Sequence, residues 1–347
     1  MVRRSIRDWD ESDVRIRPNR RGSRPRTKDR PRHEDAVPAR VVSVDRGRWR
    51  TVLLEPDANV RAVTAMRARE LGRSPIVPGD VVALVGDTSG RDGTLARIVR
   101  IQERTSFLRR SADDDDTSER PLVANVDTMA IVTALADPEP RGGMVDRCLV
   151  AATVAGIRPL LVLTKADLRA PEEFLRSYAP LGVEHVVTRR HDDGEIAGLA
   201  ALRDILAGRT TVLVGHSGVG KSTLLNALVP GADRATGAVN DVTGRGRHTS
   251  SSALAMPLPQ GGWVIDTPGV RSFGLGHVRA EELLDAFTDL AVLAEECPRG
   301  CSHLADAPDC ALDAQVAQGA AGSAGPARLA SYRRLAEALR RNDPWEA

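Results

Sequence analysis

The chain has 347 residues, 41% of them hydrophobic and 28% charged, with a formal net charge of +2. That is the composition of globular protein in two or three domains. No apolar run is long enough to span a membrane, and the Arg- and Asp-rich N-terminus lacks the apolar stretch of a secretory leader, so a cytoplasmic protein without membrane attachment is expected.

The small net charge conceals an asymmetry. Residues 1–35 carry twelve basic and seven acidic side chains, a net of +5, which leaves −3 for the remainder. Arg15 to Arg32 is almost entirely Arg, Pro, Gly, Ser and Asn and cannot bury a core. Residues 1–36 are therefore expected to form a disordered basic tail, either merely solvated or seeking nucleic-acid phosphates.

From Val37 to about residue 105 the pattern changes to short β-rich runs at Val41–Val44, Trp49–Leu54, Val60–Val63, Val81–Val85 and Leu95–Val99. Turn-forming clusters such as Asp45-Arg46-Gly47 and Pro78-Gly79-Asp80 separate them. Five strands in so short a span predict a small closed barrel of OB type. Eight arginines between Arg40 and Arg73 would suit a nucleic-acid backbone, and Trp49 is the one obvious stacking residue. A purely structural barrel is the alternative.

Ser106 to Arg120 reads as a linker with an acidic run at Asp113–Asp116. Strand and helix then alternate to about residue 276: apolar runs at Leu122–Asp127, Ala130–Leu135 and Pro159–Leu163, with a helix over Met144–Ala155. This predicts a parallel sheet covered on both faces. Cys148, far from the other thiols, reads as a core residue.

The stretch Gly215-His216-Ser217-Gly218-Val219-Gly220-Lys221-Ser222-Thr223 carries the densest chemistry. It follows the β-branched run Thr210–Val214 and precedes the helical start Leu224–Leu228. A strand, a glycine loop and a helix form the frame of a phosphate cradle, in which backbone N–H groups and a helix N-terminus face an anion. Lys221 would reach the β- and γ-phosphates and act in catalysis, and the Ser222 hydroxyl would hold Mg²⁺. Thr164-Lys165-Ala166-Asp167 follows a buried run and has the form of a guanine-recognition motif with Thr in place of Asn. Asp167 can accept from both N1–H and the exocyclic amine of guanine, a pair that adenine lacks, while the Lys165 stem would lie along the ring. His185–Thr188 is where a second base-contacting loop would fall.

Trp263-Val264-Ile265-Asp266-Thr267-Pro268-Gly269 reads as a strand ending in Asp-x-x-Gly, 44 positions after Ser222. Asp266 would take Mg²⁺ through water, and the Gly269 N–H would meet the γ-phosphate. Between them, Thr243–Ser250 is polar and glycine-bearing. Thr249 is chosen there as the hydroxyl that closes on Mg²⁺ in the triphosphate state, with Ser250 as the fallback. Val270 stands where many GTPases carry a water-orienting glutamine, so His248 or an external partner is expected to supply that group. The base motif precedes the phosphate loop by about fifty residues, the reverse of the usual order, which predicts a circular permutation.

Three of the four cysteines fall within fourteen residues. Cys297, Cys301 and Cys310, with His303, supply three thiolates and an imidazole, the set of a closed structural Zn²⁺ site, against the alternative of free cysteines in a loop. A helix from about Pro326 to Arg341 closes the chain with an Arg-rich face, either solvated or turned toward RNA. The expected fold is thus α/β: a permuted P-loop GTPase domain over 106–276 between the barrel and a zinc-binding helical domain over 277–347.

In this order, barrel, Thr-Lys-x-Asp, Gly-x4-Gly-Lys-Ser, Gly-Arg-Gly-Arg-His-Thr, Asp-Thr-Pro-Gly-Val and Cys-Cys-His-Cys knuckle resemble the RsgA (YjeQ/EngC) family of GTPases that depend on the small ribosomal subunit. The resemblance covers about residues 37–342. It implies GTP hydrolysis to GDP stimulated by the small (30S) subunit, a role in that subunit's late maturation, and a grip on its 16S rRNA by the barrel and zinc domains, with a monomer expected. Against the family pattern, the knuckle's first gap is one residue short and its last one long, and the basic extension is longer. The rival readings are an RNA-binding module with a regulatory nucleotide site and a permuted GTPase acting on the large subunit.

Overall fold

In a computed structural model the described residues are 33–54, 61–111, 119–230, 253–267, 279–285, 287–323 and 325–340. The readings made on the basic tail up to residue 32, on His248 and Thr249, and on Gly269 and Val270 lie outside them.

Strands β1 (Val37–Asp45), β2 (Arg48–Leu53), β3 (Ala62–Arg67), β4 (Val81–Gly86) and β5 (Ala96–Ile101) close into a barrel in the order β1-β2-β3-β5-β4. The period of two decides which side chains fill it: along β2, Trp49 and Thr51 point inward while Arg48 and Arg50 are exposed. Val41, Val63, Leu84 and Ile98 complete a small aliphatic core. Trp49 belongs to that core. Its indole is only 7% exposed, Nε1 donates to Ile76 O at 3.1 Å, and the Arg67 guanidinium lies 5.9 Å from the ring centre. The expected stacking platform is therefore corrected to a core side chain, because a large ring with one satisfied N–H fills the barrel better than the small residues around it could.

The segment read as a linker contains a strand. Phe107–Ser111 (β6) pairs antiparallel with Glu119–Ala124 (β7), because Leu108, Leu122 and Val123 need burial. The run read as the first strand of the main sheet thus belongs to this separate hairpin. The Ala124 N–H donates to Pro78 O at 3.1 Å, and Asn125 Nδ2 donates to Gly79 O at 3.0 Å. Gly79 has φ +93°, and a Cβ there would fall 2.0 Å from the Ala124 carbonyl oxygen, so only glycine lets the barrel and the hairpin approach so closely.

The main sheet uses β8 (Thr128–Ala134), β9 (Arg158–Thr164), β10 (Glu184–Val187), β13 (Thr210–Val214), β14 (Leu254–Pro257) and β15 (Trp263–Asp266); β11 (Arg189–Arg190) and β12 (Ile196–Ala197) form a separate small hairpin. Its order is β10-β9-β8-β13-β15-β14, parallel except for the edge strand β14. Every residue of β8 and β13 is buried, as expected of a sheet covered on both faces. Helices α3 (Leu199–Leu206) and α4 (Lys221–Leu228) cover one face through Leu202, Leu206, Leu224 and Leu228. Helix α1 (Gly142–Val154) covers the other, with α2 (Glu172–Tyr178) beside it. Cys148 is 1% exposed on α1, and burial pushes its thiol up to about 12, which leaves it inert. At the N-terminal ends of the strands, Arg40 of the barrel donates to Thr210 Oγ1 at 3.3 Å and lies 5.5 Å from the centre of the Trp263 ring.

The C-terminal helices are α5 (Ala280–Asp285), α6 (Thr288–Ala294), α7 (Ala311–Ala317) and α8 (Gly325–Arg340). Their apolar faces continue the core of the α1 face without a break, through Leu283, Phe287, Leu290, Leu312 and Tyr332. Three arginines of α8 are engaged in ion pairs with neighbouring elements, and the fourth, Arg340, is exposed. Arg328 forms a two-pronged pair with Asp289 at 2.7 Å, and Arg333 does the same with Asp313. Arg334 reaches Asp146 Oδ2 on α1 at 3.1 Å and covers the Tyr178 ring. Arg340 pairs with Glu337. Forked guanidinium groups are well suited to such internal clamps, and for Arg328, Arg333 and Arg334 they replace the expected basic face, while Arg341 lies outside the described residues.

Candidate active site

Three strand ends meet at the C-terminal edge of the sheet. This is where ligands bind in open α/β sheets, at the point where the chain's winding reverses, here between β8 and β13. From β13 the chain enters Gly215, whose φ is +151° and where a Cβ would fall 2.3 Å from the Val132 carbonyl oxygen of β8. The loop thus runs hard against the neighbouring strand, and Gly218 and Gly220 turn it through left-handed conformations into α4. Lys221, the first residue of α4, folds its ammonium back onto the carbonyls of Gly215 and His216. Ser222 and Thr223 stand exposed beside it, Val219 is buried, and Ser217 is exposed at the crest.

Asp266 ends β15, in register with Leu213 one strand away from the phosphate loop. Thr267, which follows it, is buried, and its hydroxyl donates to Leu213 O at 2.7 Å, fixing the exit of β15. Burial raises the Asp266 carboxyl above its ordinary value, and the Lys221 charge opposes that shift. Burial likewise lowers the Lys221 ammonium, with Asp266 opposing. The two groups therefore share one desolvated patch. An exposed hydroxyl at Ser222 and a half-buried carboxylate at Asp266, with no ion pair to it among the described residues, fit a hard divalent ion such as Mg²⁺.

On the other side of β8, Thr164 ends β9. Its hydroxyl donates to Val219 O in the phosphate loop at 2.7 Å, so the base motif and the cradle are tied directly. Lys165 takes a left-handed backbone (φ +58°) and its ammonium donates to Asp137 O. Asp167 is exposed at the rim and accepts from the Arg190 N–H at 3.4 Å. Thr188 is buried, and its N–H donates to Leu163 O at 2.7 Å, which places the segment after β10 beside the base motif. A cavity of about 760 Å³ opens between Ser217 and His216 of the loop, the end of β8, and Glu139, Arg141 and Arg147 at the start of α1. Lys165's and Thr164's carbonyl partners were not legible in the sequence, since neither Asp137 nor Val219 is near them in the chain.

The ligand atoms of Cys297, Cys301, His303 and Cys310 all lie within 4.8 Å of one another. Cys297 Sγ and Cys310 Sγ are 4.0 Å apart, and Cys310 Sγ is 4.0 Å from His303 Nδ1. Bonds of about 2.3 Å in a tetrahedron put sulfurs about 3.8 Å apart, so the altered spacing of the knuckle still closes a four-ligand cage. Burial, aided by the nearby Arg333 charge, lowers His303 below its ordinary value and keeps its imidazole in the neutral, ligating form.

A parallel sheet that presents a phosphate loop, an acidic strand end and a guanine motif at one edge, with the guanine motif earlier in the chain, defines a circularly permuted GTPase. The family model described as RsgA GTPase matches residues 101–276. The small ribosomal subunit biogenesis GTPase RsgA of Ectopseudomonas mendocina is 41% identical over 275 residues, covering 77% of this chain and 76% of that one. The protein of the same name from Gemmatimonas aurantiaca is 38% identical over 267 residues, 75% of this chain and 86% of that one. Among solved structures, YjeQ from Thermotoga maritima aligns with a TM-score of 0.63 at 25% identity, over 88% of this chain and 98% of that one. The chain belongs to the RsgA GTPase family and is a GTP hydrolase.

Proposed function

We propose that this GTPase works on the small ribosomal subunit during its late maturation, as a cytoplasmic monomer whose hydrolysis is stimulated by that subunit. The observation that carries this reading is the 41% identity, over most of both chains, to a relative named for small-subunit biogenesis. The exposed arginines Arg46, Arg48, Arg50, Arg61, Arg69 and Arg73 of the barrel supply a surface for the phosphates of 16S rRNA.

In this reading the N–H groups from Gly215 to Thr223 surround the phosphates of GTP. Lys221 leaves the loop carbonyls to neutralise the β- and γ-phosphates, and Asp167 and Lys165 hold guanine. Thr164 keeps the two halves in register. Mg²⁺ held by Ser222, Thr249 and, through water, Asp266 would offset the charge that develops between the β- and γ-phosphates. Gly269 would meet the γ-phosphate, and His248 would orient water. The knuckle of Cys297, Cys301, His303 and Cys310 would hold one structural Zn²⁺, because four protein ligands leave no fourth position open for water or substrate.

The test is GTP turnover with purified small subunits added and withheld. The expected result is slow intrinsic hydrolysis raised at least about tenfold by small subunits and not by large ones. Equal turnover in both conditions would remove the ribosomal role and leave the GTPase. His248→Ala should abolish the stimulated part; unchanged stimulated turnover would remove His248 from catalysis.

A further inference from the structure

The knuckle is gripped from outside by one residue of α8. Arg333 Nε donates to His303 O at 3.0 Å, and its Nη2 lies 3.9 Å from Cys310 Sγ. The rest of its fork is held by Asp313 Oδ1 and Oδ2 at 2.7 Å, three positions beyond Cys310. One guanidinium therefore touches the backbone of one ligand, the sulfur of another and the helix that follows it. Tyr332, the preceding residue, is fully buried, with its ring edge-on to Phe287 at 5.5 Å. Its hydroxyl has no hydrogen-bond partner among the described residues.

Three thiolates and a neutral imidazole around a divalent cation carry a net charge of −1. Thiolate sulfurs still accept hydrogen bonds while they ligate, and outer donors fix their orientation. We propose that Arg333 is the outer shell of the metal knuckle, a positioning residue whose N–H groups hold the His303 carbonyl and face the Cys310 sulfur, and that it sets how long the metal is retained. Arg334 supplies a built-in comparison. It stands on the same helix and makes an ion pair with the buried Asp146, but it points to α1 and touches no ligand.

This inference rests on reading the knuckle as a zinc site. The experiment takes zinc-loaded full-length protein, adds a chromophoric chelator in excess, and follows the rate of zinc release. Arg333→Gln should release zinc roughly ten- to a hundredfold faster than wild type, the usual effect of losing an outer-shell partner. Arg333→Lys, which keeps the charge but loses the fork, should be faster by severalfold, and Arg334→Gln should stay within about twofold of wild type. If Arg333→Gln fails to fold, Arg333→Lys carries the test alone. Equal release from Arg333→Gln and Arg334→Gln, or wild-type release from Arg333→Lys, overturns the inference. Wild-type protein that purifies without zinc would instead remove the zinc reading beneath it.

Discussion

The Thr164 hydroxyl donates a 2.7 Å hydrogen bond to the Val219 carbonyl, joining the end of β9 to the phosphate loop across 55 positions of sequence. Thr164 also lies 3.7 Å from where a Cβ on Gly220 would stand, so its side chain fills the space behind the loop. Thr164→Val keeps the shape and removes the donor, leaving a buried carbonyl unpaired. The expected cost is about 1–3 kcal/mol of stability, together with weaker GTP binding, whereas Thr164→Ser should retain most of both. Urea denaturation and nucleotide titration of the two variants measure this.

Gly215 is placed where its loop meets the backbone of β8. Gly215→Ala sets a methyl 2.3 Å from the Val132 carbonyl oxygen, and no flexible side chain can move aside. The expected result is a loss of about 1–3 kcal/mol, as in overpacked cores, with GTP binding reduced far more than by an exposed change such as Ser217→Ala. Thermal melts and GTP titration check both.

The shared patch of Asp266 and Lys221 has a definite pH signature. Burial raises the folded pKa of Asp266, so its contribution to stability is full below the unfolded value of 3.8 and is lost as pH rises through the folded value. Lys221, lowered from 10.5, contributes stability above that pH and loses it as pH falls through its folded value. At neutral pH both charged forms are therefore a cost to the free protein. Asp266→Asn without nucleotide should melt at or above wild type at pH 7, the difference shrinking toward pH 4, while GTP turnover falls at least about a hundredfold. A lower Tm for Asp266→Asn at pH 7 would contradict this.

Trp49 fills the barrel with its N–H on Ile76 O. Trp49→Phe should cost about 1–3 kcal/mol by stranding that buried carbonyl, and affinity for small-subunit rRNA should stay unchanged. Reduced rRNA affinity in a folded variant would return the ring to the RNA interface.

These cases mark what the sequence exposes. The phosphate loop, the base motif and the Cys/His cluster are local patterns whose chemistry depends on residues a few positions apart, and the alternation of apolar runs sufficed for the barrel and the parallel sheet. The Thr164–Val219 tie, the Arg40–Thr210 contact and the clamps of Arg328, Arg333 and Arg334 join residues 20 to 188 positions apart. No periodicity reports such partners, and an Arg-rich helix face looks the same whether it meets water or buried aspartates. Trp49 was misread for a related reason: an inward strand position is visible only once the barrel register is known.

The central claim is that Asp167 and Lys221, on strand ends the chain visits in reversed order, meet around one guanine nucleotide. The most direct measurement is the base preference of Asp167→Asn. A carboxylate accepts from the N1–H and amine of guanine, whereas an amide offers one acceptor and one donor, which matches the N1–H and C2 carbonyl of xanthine. The variant is expected to bind xanthosine triphosphate in preference to GTP; an undiminished preference for GTP would contradict the account.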